Sequence, residues 1–205
     1  DDAYRHQQLV YGELKRMSGA PRAWRVVGAQ DPLVRHFRIE KPVVAPIVRG
    51  WKYDDAAHFR LKDRVLQTVE ATLVVYTAPD GSIAGVAPSA SISSSRFPFY
   101  APHGPGFAAD LASFGAIVVG KRVDVGELPA DWERLGVVVT RDDIPRAVGY
   151  IDRSVSGSPK AATEIALSHV ASWHGQDAPV SVVTTGTLAT LPVAVGAFKV
   201  NFGPL

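Results

Sequence analysis

A mixed α+β fold follows from three features of this 205-residue chain. Apolar residues alternate with period two through Leu66–Thr77, the mark of a strand. Helical periodicity is confined to Tyr4–Met17 and to a stretch opening at Ser158. The rest divides into short apolar runs closed by Gly, Pro and Asp, with neither an internal repeat nor a low-complexity linker. One domain rich in short strands, spanning residues 1–205, is the expectation.

Taken in order, Tyr4–Met17 places Tyr4, Tyr11, Leu14 and Met17 on one helical face, and Ser18-Gly19-Ala20-Pro21 ends it. Ala23–Val27 reads as a strand with a turn at Gly28. Asp31–Phe37 reads as a short helix capped by Asp31 with Pro32 in its first turn. Pro42 and Pro46 make Lys41–Val48 an extended, irregular connection. In the long strand Val69, Ala71, Leu73 and Val75 face one way, and Glu70, Thr72, Val74 and Tyr76 the other. Pro79-Asp80-Gly81 closes it. Pro88–Ser93 reads as another strand and Arg96–Gly106 as a Pro/Gly/aromatic loop long enough for a lid or rim. A short helix over Ala108–Phe114 and a strand over Ala116–Val119 follow. Gly136–Thr140 and Arg146–Ile151 form a hairpin. The Ser158-Pro159 helix runs to about His174, with Ala162, Ile165, Ala166, Val170 and Trp173 inward and Gly175 stopping it. Val180–Thr185 and Phe198–Phe202 are the last strands.

Composition narrows the function classes. Hydrophobic residues at 46% and charged residues at 20% are those of a folded domain, and a net charge of +2 carries no nucleic-acid footprint. The absence of cysteine removes disulfides, thiolate nucleophiles and thiolate metal sites. No apolar run approaches the ~18–20 residues needed to span a bilayer, and Asp1, Asp2 and Arg5 stand where a secretion signal would be apolar. The expectation is a cytoplasmic protein with a small-molecule substrate and neither nucleic-acid nor membrane partners.

Few side chains stand out for chemistry. Glu70 sits mid-strand opposite an apolar row, as a pocket acid or base or as an ordinary strand residue. Ser93, Ser94 and Ser95 form an unusual run, yet no Gly-x-Ser-x-Gly elbow surrounds them. The six histidines show no metal spacing, and His169 and His174 are five apart. Phe97, Phe99, Tyr100 and Phe107 would give the Arg96–Gly106 loop an apolar inner face, capping a substrate or packing on the domain or a second subunit.

Several segments, in order, resemble the 2-keto-4-pentenoate hydratase and 4-oxalocrotonate decarboxylase branch of the fumarylacetoacetate hydrolase superfamily. They are AWRVVGAQDPLVRHFRIEKPVVAPI (Ala23–Ile47), VEAT (Val69–Thr72), SISSSRF (Ser91–Phe97), DLASFGAIVVG (Asp110–Gly120), SGSPKAATEIALSHVASWHG (Ser156–Gly175) and VVTTGTLATLPVAVGAFKVNFGPL (Val182–Leu205). The resemblance implies a mixed β-roll or sandwich with short flanking helices, and a homo-oligomer. It also implies a pocket around Glu70. Arg25 would stand at or beside the family's lysine, His36 on a bordering helix as an acid/base candidate, and Arg96 as a clamp for an anionic substrate. Ser93, Ser94, Thr72, Thr185, Thr187 and Phe99 would line the substrate, the Thr185-Gly186-Thr187 turn supplying donors to its carboxylate.

The departures matter as much. The family holds Mg²⁺ or Mn²⁺ with two carboxylates of E-x-E and an aspartate, as a hard cation requires. Here only Glu70 remains: Thr72 and Ser94 take the other two positions. Neutral hydroxyls leave too little anionic charge, so the family metal is expected to be lost and no cofactor to replace it. Three functions stay open: a repurposed, metal-independent cyclase, isomerase or dehydratase of secondary metabolism acting on an enol, 2-oxo acid or larger polyketide-like substrate; a metal-dependent 2-oxo-acid hydratase or decarboxylase; and a non-catalytic binding protein of the same fold.

Overall fold

The computed structural model describes residues 2–19, 21–28, 41–48, 50, 52–59, 65–96, 104–154, 157–175 and 180–205. The expected Asp31–Phe37 helix, His36 and Phe99 lie outside them. The described residues form three α-helices, α1 (Asp2–Ser18), α2 (Gly104–Ala109) and α3 (Pro159–His174). The strands are β1 (Ala23–Val27), β2 (Val43–Pro46), β3 (Lys52–Asp54), β4 (Val65–Thr77), β5 (Ile83–Ser95), β6 (Phe114–Val119) and β7 (Val123–Asp124). Then come β8 (Gly136–Arg141), β9 (Ile144–Tyr150), β10 (Val182–Thr184), β11 (Ala189–Pro192) and β12 (Phe198–Asn201). None of the described helices is long and apolar enough to cross a membrane.

A large mixed sheet runs β2-β1-β10-β4-β5-β6-β3, with β11 added to β4 and β7 to β5, and a smaller sheet runs β12-β8-β9. The long antiparallel pair β4–β5 is its axis, in register from Thr68↔Ser93 to Tyr76↔Gly85. Both faces of β4 are buried, which the alternation alone does not reveal. Ala71, Leu73 and Val75 join Trp24, Val137, Val139, Ile151, Phe202 and the inner stripe of α3. Val74, on the opposite face, joins Ile47, Ala87, Phe114, Ile117 and Val119. Each such side chain removed from water contributes about 1.5–3 kcal/mol, so the strand is anchored from two sides.

Local chemistry explains most boundaries. Ser158 caps α3, its hydroxyl accepting from the Ala161 N–H at 3.2 Å, with Pro159 in the first turn and Gly175 closing the helix at φ 91°. Asp142 and Asp143 join β8 to β9 with φ of 53° and 63°, the two-residue turn that suits the twist of a hairpin. It is tighter than the five-residue connection expected. Helix α1 is tied down by Gln7, which is buried and donates from Nε2 to the carbonyls of Val44 and Ala108, both at 3.0 Å.

Three expectations need correction. Lys41–Val48 is not irregular throughout: Val43–Pro46 is a strand antiparallel to β1, with Pro46 at its end where a missing N–H does least harm. The second long strand extends beyond Pro88–Ser93 to Ile83–Ser95. The helix expected over Ala108–Phe114 is shifted back to Gly104–Ala109, and Phe114 already belongs to β6. Between them Leu111, Ala112 and Ser113 all take positive φ, near 53°, a conformation non-glycine residues adopt only under tertiary support. The short strands β3, β7 and β11 carry too little pattern to be predicted, and β11 matters most for the site.

Candidate functional site

Strands β10 and β11 occupy one edge of β4 in succession, β10 along Val74–Tyr76 and β11 along Thr68–Ala71. The chain between them bows out opposite Leu73. Thr185 N–H donates to the Leu73 carbonyl, the Leu73 N–H donates back to Thr185 Oγ1, and Leu188 N–H donates to the Ala71 carbonyl. This bow sets Thr187 beside Glu70. On the other side of β10, Arg25 of β1 is the cross-strand neighbour of Thr184, which neighbours Val74 of β4. Paired residues share a face, so Arg25 and Glu70 emerge on the same side of the sheet.

They meet there as an ion pair. Arg25 Nη2 lies 2.7 Å from Glu70 Oε2, with only 4% and 3% of the side chains exposed. Thr187 Oγ1 donates to the same oxygen at 3.0 Å, while Thr68 Oγ1 (2.9 Å) and Ser93 Oγ donate to Oε1. Each carboxylate oxygen therefore accepts two hydrogen bonds, which uses its lone-pair directions. Arg25 Nη2 also donates to Ser93 Oγ at 3.1 Å, and its guanidinium carbon lies 5.6 Å from the centre of the Phe114 ring. Arg25 Nη1 and Thr184 Oγ1 are buried with no hydrogen-bond partner among the described residues.

Next along β4, Thr72 forms a second hydroxyl cluster with Ser89 (2.9 Å) and Ser91 (3.0 Å), and Ser89 donates onward to the Thr72 carbonyl. All three are buried. Of the expected residues, Arg25, Glu70, Ser93, Thr72 and Thr187 thus fall on one face, and Thr185 shapes the bow. Ser94 is buried opposite Gln67; the serine that reaches Glu70 is Ser93. Arg96 is engaged elsewhere, its Nη1 3.0 Å from Asp110 and its Nη2 donating to the Phe114 carbonyl at 2.6 Å. It thereby braces the positive-φ turn that carries Phe114 under Arg25. Thr68, Ser89, Ser91 and Thr184 were not singled out from sequence. The period-two spacing of Ser89, Ser91 and Ser93 was the available signal.

A divalent ion can be tested against these donors. It needs free anionic oxygens, and here the one carboxylate is saturated by four donors, one of them a guanidinium already standing at cation distance. The second position is Thr72, whose hydroxyl is committed to two serines. No group of three or more His, Asp or Glu side chains suited to a metal occurs among the described residues. The residues present do not fit the ion.

Comparison with known proteins places this geometry. The chain is 31% identical over 195 residues to REH2-associated factor 2 of Trypanosoma brucei brucei (strain 927/4 GUTat10.1), covering 87% of this chain and 71% of that protein. The chain belongs to the family of REH2-associated factor 2. No family model matches it. Among solved structures, 4-oxalocrotonate decarboxylase from Pseudomonas putida G7, in complex with magnesium and adipate, superposes with a TM-score of 0.80 at 20% identity. That match covers 97% of this chain and 80% of the decarboxylase. Maleylpyruvate hydrolase from Sphingobium sp. SYK-6, in complex with manganese(II) and pyruvate, gives 0.57 at 12% identity over 90% and 68% of the two chains. This member of the REH2-associated factor 2 family therefore has the fold of the fumarylacetoacetate hydrolase superfamily, a fold of hydratase-like decarboxylases, isomerases and hydrolases.

Proposed function

We propose that this chain is a binding protein built on a hydratase-type fold, its ancestral metal position taken over by an internal ion pair. The observation that carries this reading is the saturation of Glu70 by Arg25, Thr68, Ser93 and Thr187. A carboxylate with both oxygens doubly engaged has no lone pair directed at a substrate proton and none for a metal. What remains is a polar core that ties four chain segments to one another. The kinship with a protein named as an associated factor favours the same conclusion: the chain serves by association with another protein, a counterpart of REH2 being the first candidate.

The experiment pairs activity with association. Purified protein should give no turnover of 2-hydroxydienoates above buffer with or without Mg²⁺ or Mn²⁺. A pull-down with the wild-type chain should recover the REH2 counterpart. Metal-stimulated turnover abolished by Glu70→Gln would overturn the reading, as would failure of the wild-type chain to recover the counterpart.

One observation favours a second reading, a metal-independent cyclase, isomerase or dehydratase. Arg25 Nη1 and Thr184 Oγ1 are buried donors awaiting an acceptor, and an enol or carboxylate oxygen would satisfy both. In that case turnover would appear without metal and would be lost in Thr184→Val.

A further inference from the structure

A row of paired residues crosses the large sheet from β2 to β5: Ala45, Arg25, Thr184, Val74 and Ala87. Directly paired residues share a face, so these side chains project on the side that carries Glu70. All of them are buried. The row holds two donors with no acceptor among the described residues, Arg25 Nη1 and Thr184 Oγ1, on neighbouring strands. Their flanks are apolar. Ala45 stands on one side, Val74 and Ala87 on the other, and the Phe114 ring centre lies 5.6 Å from the guanidinium carbon. A buried donor left unmet costs more than an ordinary hydrogen bond gains, so an acceptor oxygen is the complement of this row.

Charge decides which kind of oxygen. Arg25 is already balanced by Glu70 at 2.7 Å. The other charged side chain buried among the described residues, Asp110, is held by Arg96. The row therefore offers donors at a place with no net charge. A carboxylate seated there would be drawn to the guanidinium, repelled by Glu70 on the same guanidinium, and stripped of its water. An uncharged carbonyl oxygen accepts from the same N–H and O–H and gives up far less hydration.

We propose that Arg25 Nη1 and Thr184 Oγ1 form a binding site for the carbonyl oxygen of a small uncharged ligand, of the amide or ester class. Its apolar body packs against Val74, Ala87 and Phe114, where the short side chains of Ala45 and Ala87 flank the row. The site selects against acids, because Glu70 has already claimed the positive charge that an acid needs. The proposal rests on the closed Arg25–Glu70 pair and is independent of association with a REH2 counterpart.

Butanamide and butyrate share a skeleton and differ in charge, which makes them the probes. The full chain is titrated with each in EDTA, without any partner protein, so failure here leaves the turnover and pull-down results intact. By heteronuclear NMR, butanamide should shift the Arg25 side-chain and Thr184 signals saturably, in the millimolar range expected for so few atoms. Butyrate should bind at least about tenfold more weakly, because the desolvation of its charge is not compensated. Thr184→Val keeps the shape of the side chain and removes its hydroxyl. In that variant, shown to be folded by its amide spectrum, butanamide should bind roughly tenfold more weakly, the worth of one buried hydrogen bond. The comparison of the two probes on wild type stands even if the variant does not fold. Butyrate binding as tightly as butanamide, undiminished butanamide binding in folded Thr184→Val, or no saturable shift with either probe would overturn the proposal.

Discussion

Arg25 and Glu70 bury opposite charges at 2.7 Å, and their energetics depend on which is removed. Truncating one leaves the other charged, buried and partly unpaired, which costs about 3–5 kcal/mol. Replacing both by residues of similar volume removes the desolvation penalty along with the attraction, and is often near neutral. Arg25→Met and Glu70→Met should each lower the unfolding free energy measured in urea by that order, and the double variant by far less than their sum. Additive losses would show that the pair is not the closed unit described. The sequence singled out both residues as pocket groups, but their mutual neutralisation is a product of tertiary register. It depends on β10 lying between β1 and β4, a pairing that no local pattern encodes.

At the scale of elements, α1 docks on α3 through rings: Tyr4 lies 4.6 Å from His169, and Tyr11 4.1 Å from His174 and 5.8 Å from Trp24. Burial, and secondarily His174, push His169 down to about 4, and burial also lowers His174. A histidine depressed in the fold binds its proton first in the unfolded chain, so stability is full above the unfolded value near 6.5 and falls as pH drops toward 4. Melting temperature should decline across that window, with a shallower decline in His169→Gln; a flat profile in wild type would refute the docking role. The same scale yields a backbone prediction. Gly149→Ala should destabilise by about 2 kcal/mol or more, measured by chemical denaturation, because its Cβ would meet the Leu188 carbonyl, which cannot rotate away. Helices α1 and α3 and strands β4, β8 and β9 were legible because periodicity, caps and turn residues are local signals. The strand β11 and the bow at Thr185 were not: they exist because β4 offers its edge, and Thr-Gly-Thr reads equally well as an ordinary turn.

For the whole molecule, two hydrophobic clusters on opposite faces of β4 enclose a polar seam of Arg25, Glu70, Thr68, Thr72, Thr187 and three serines. The architecture matches the decarboxylase over 97% of this chain, and at the centre of the seam an internal guanidinium faces the carboxylate of Glu70. Fold kinship alone would have assigned metal chemistry; the donors present argue against it. Calorimetric titration of the purified chain with Mn²⁺ tests this most directly. Saturation of Glu70 predicts no stoichiometric, saturable heat up to millimolar metal. A single tight site that disappears in Glu70→Ala would contradict it.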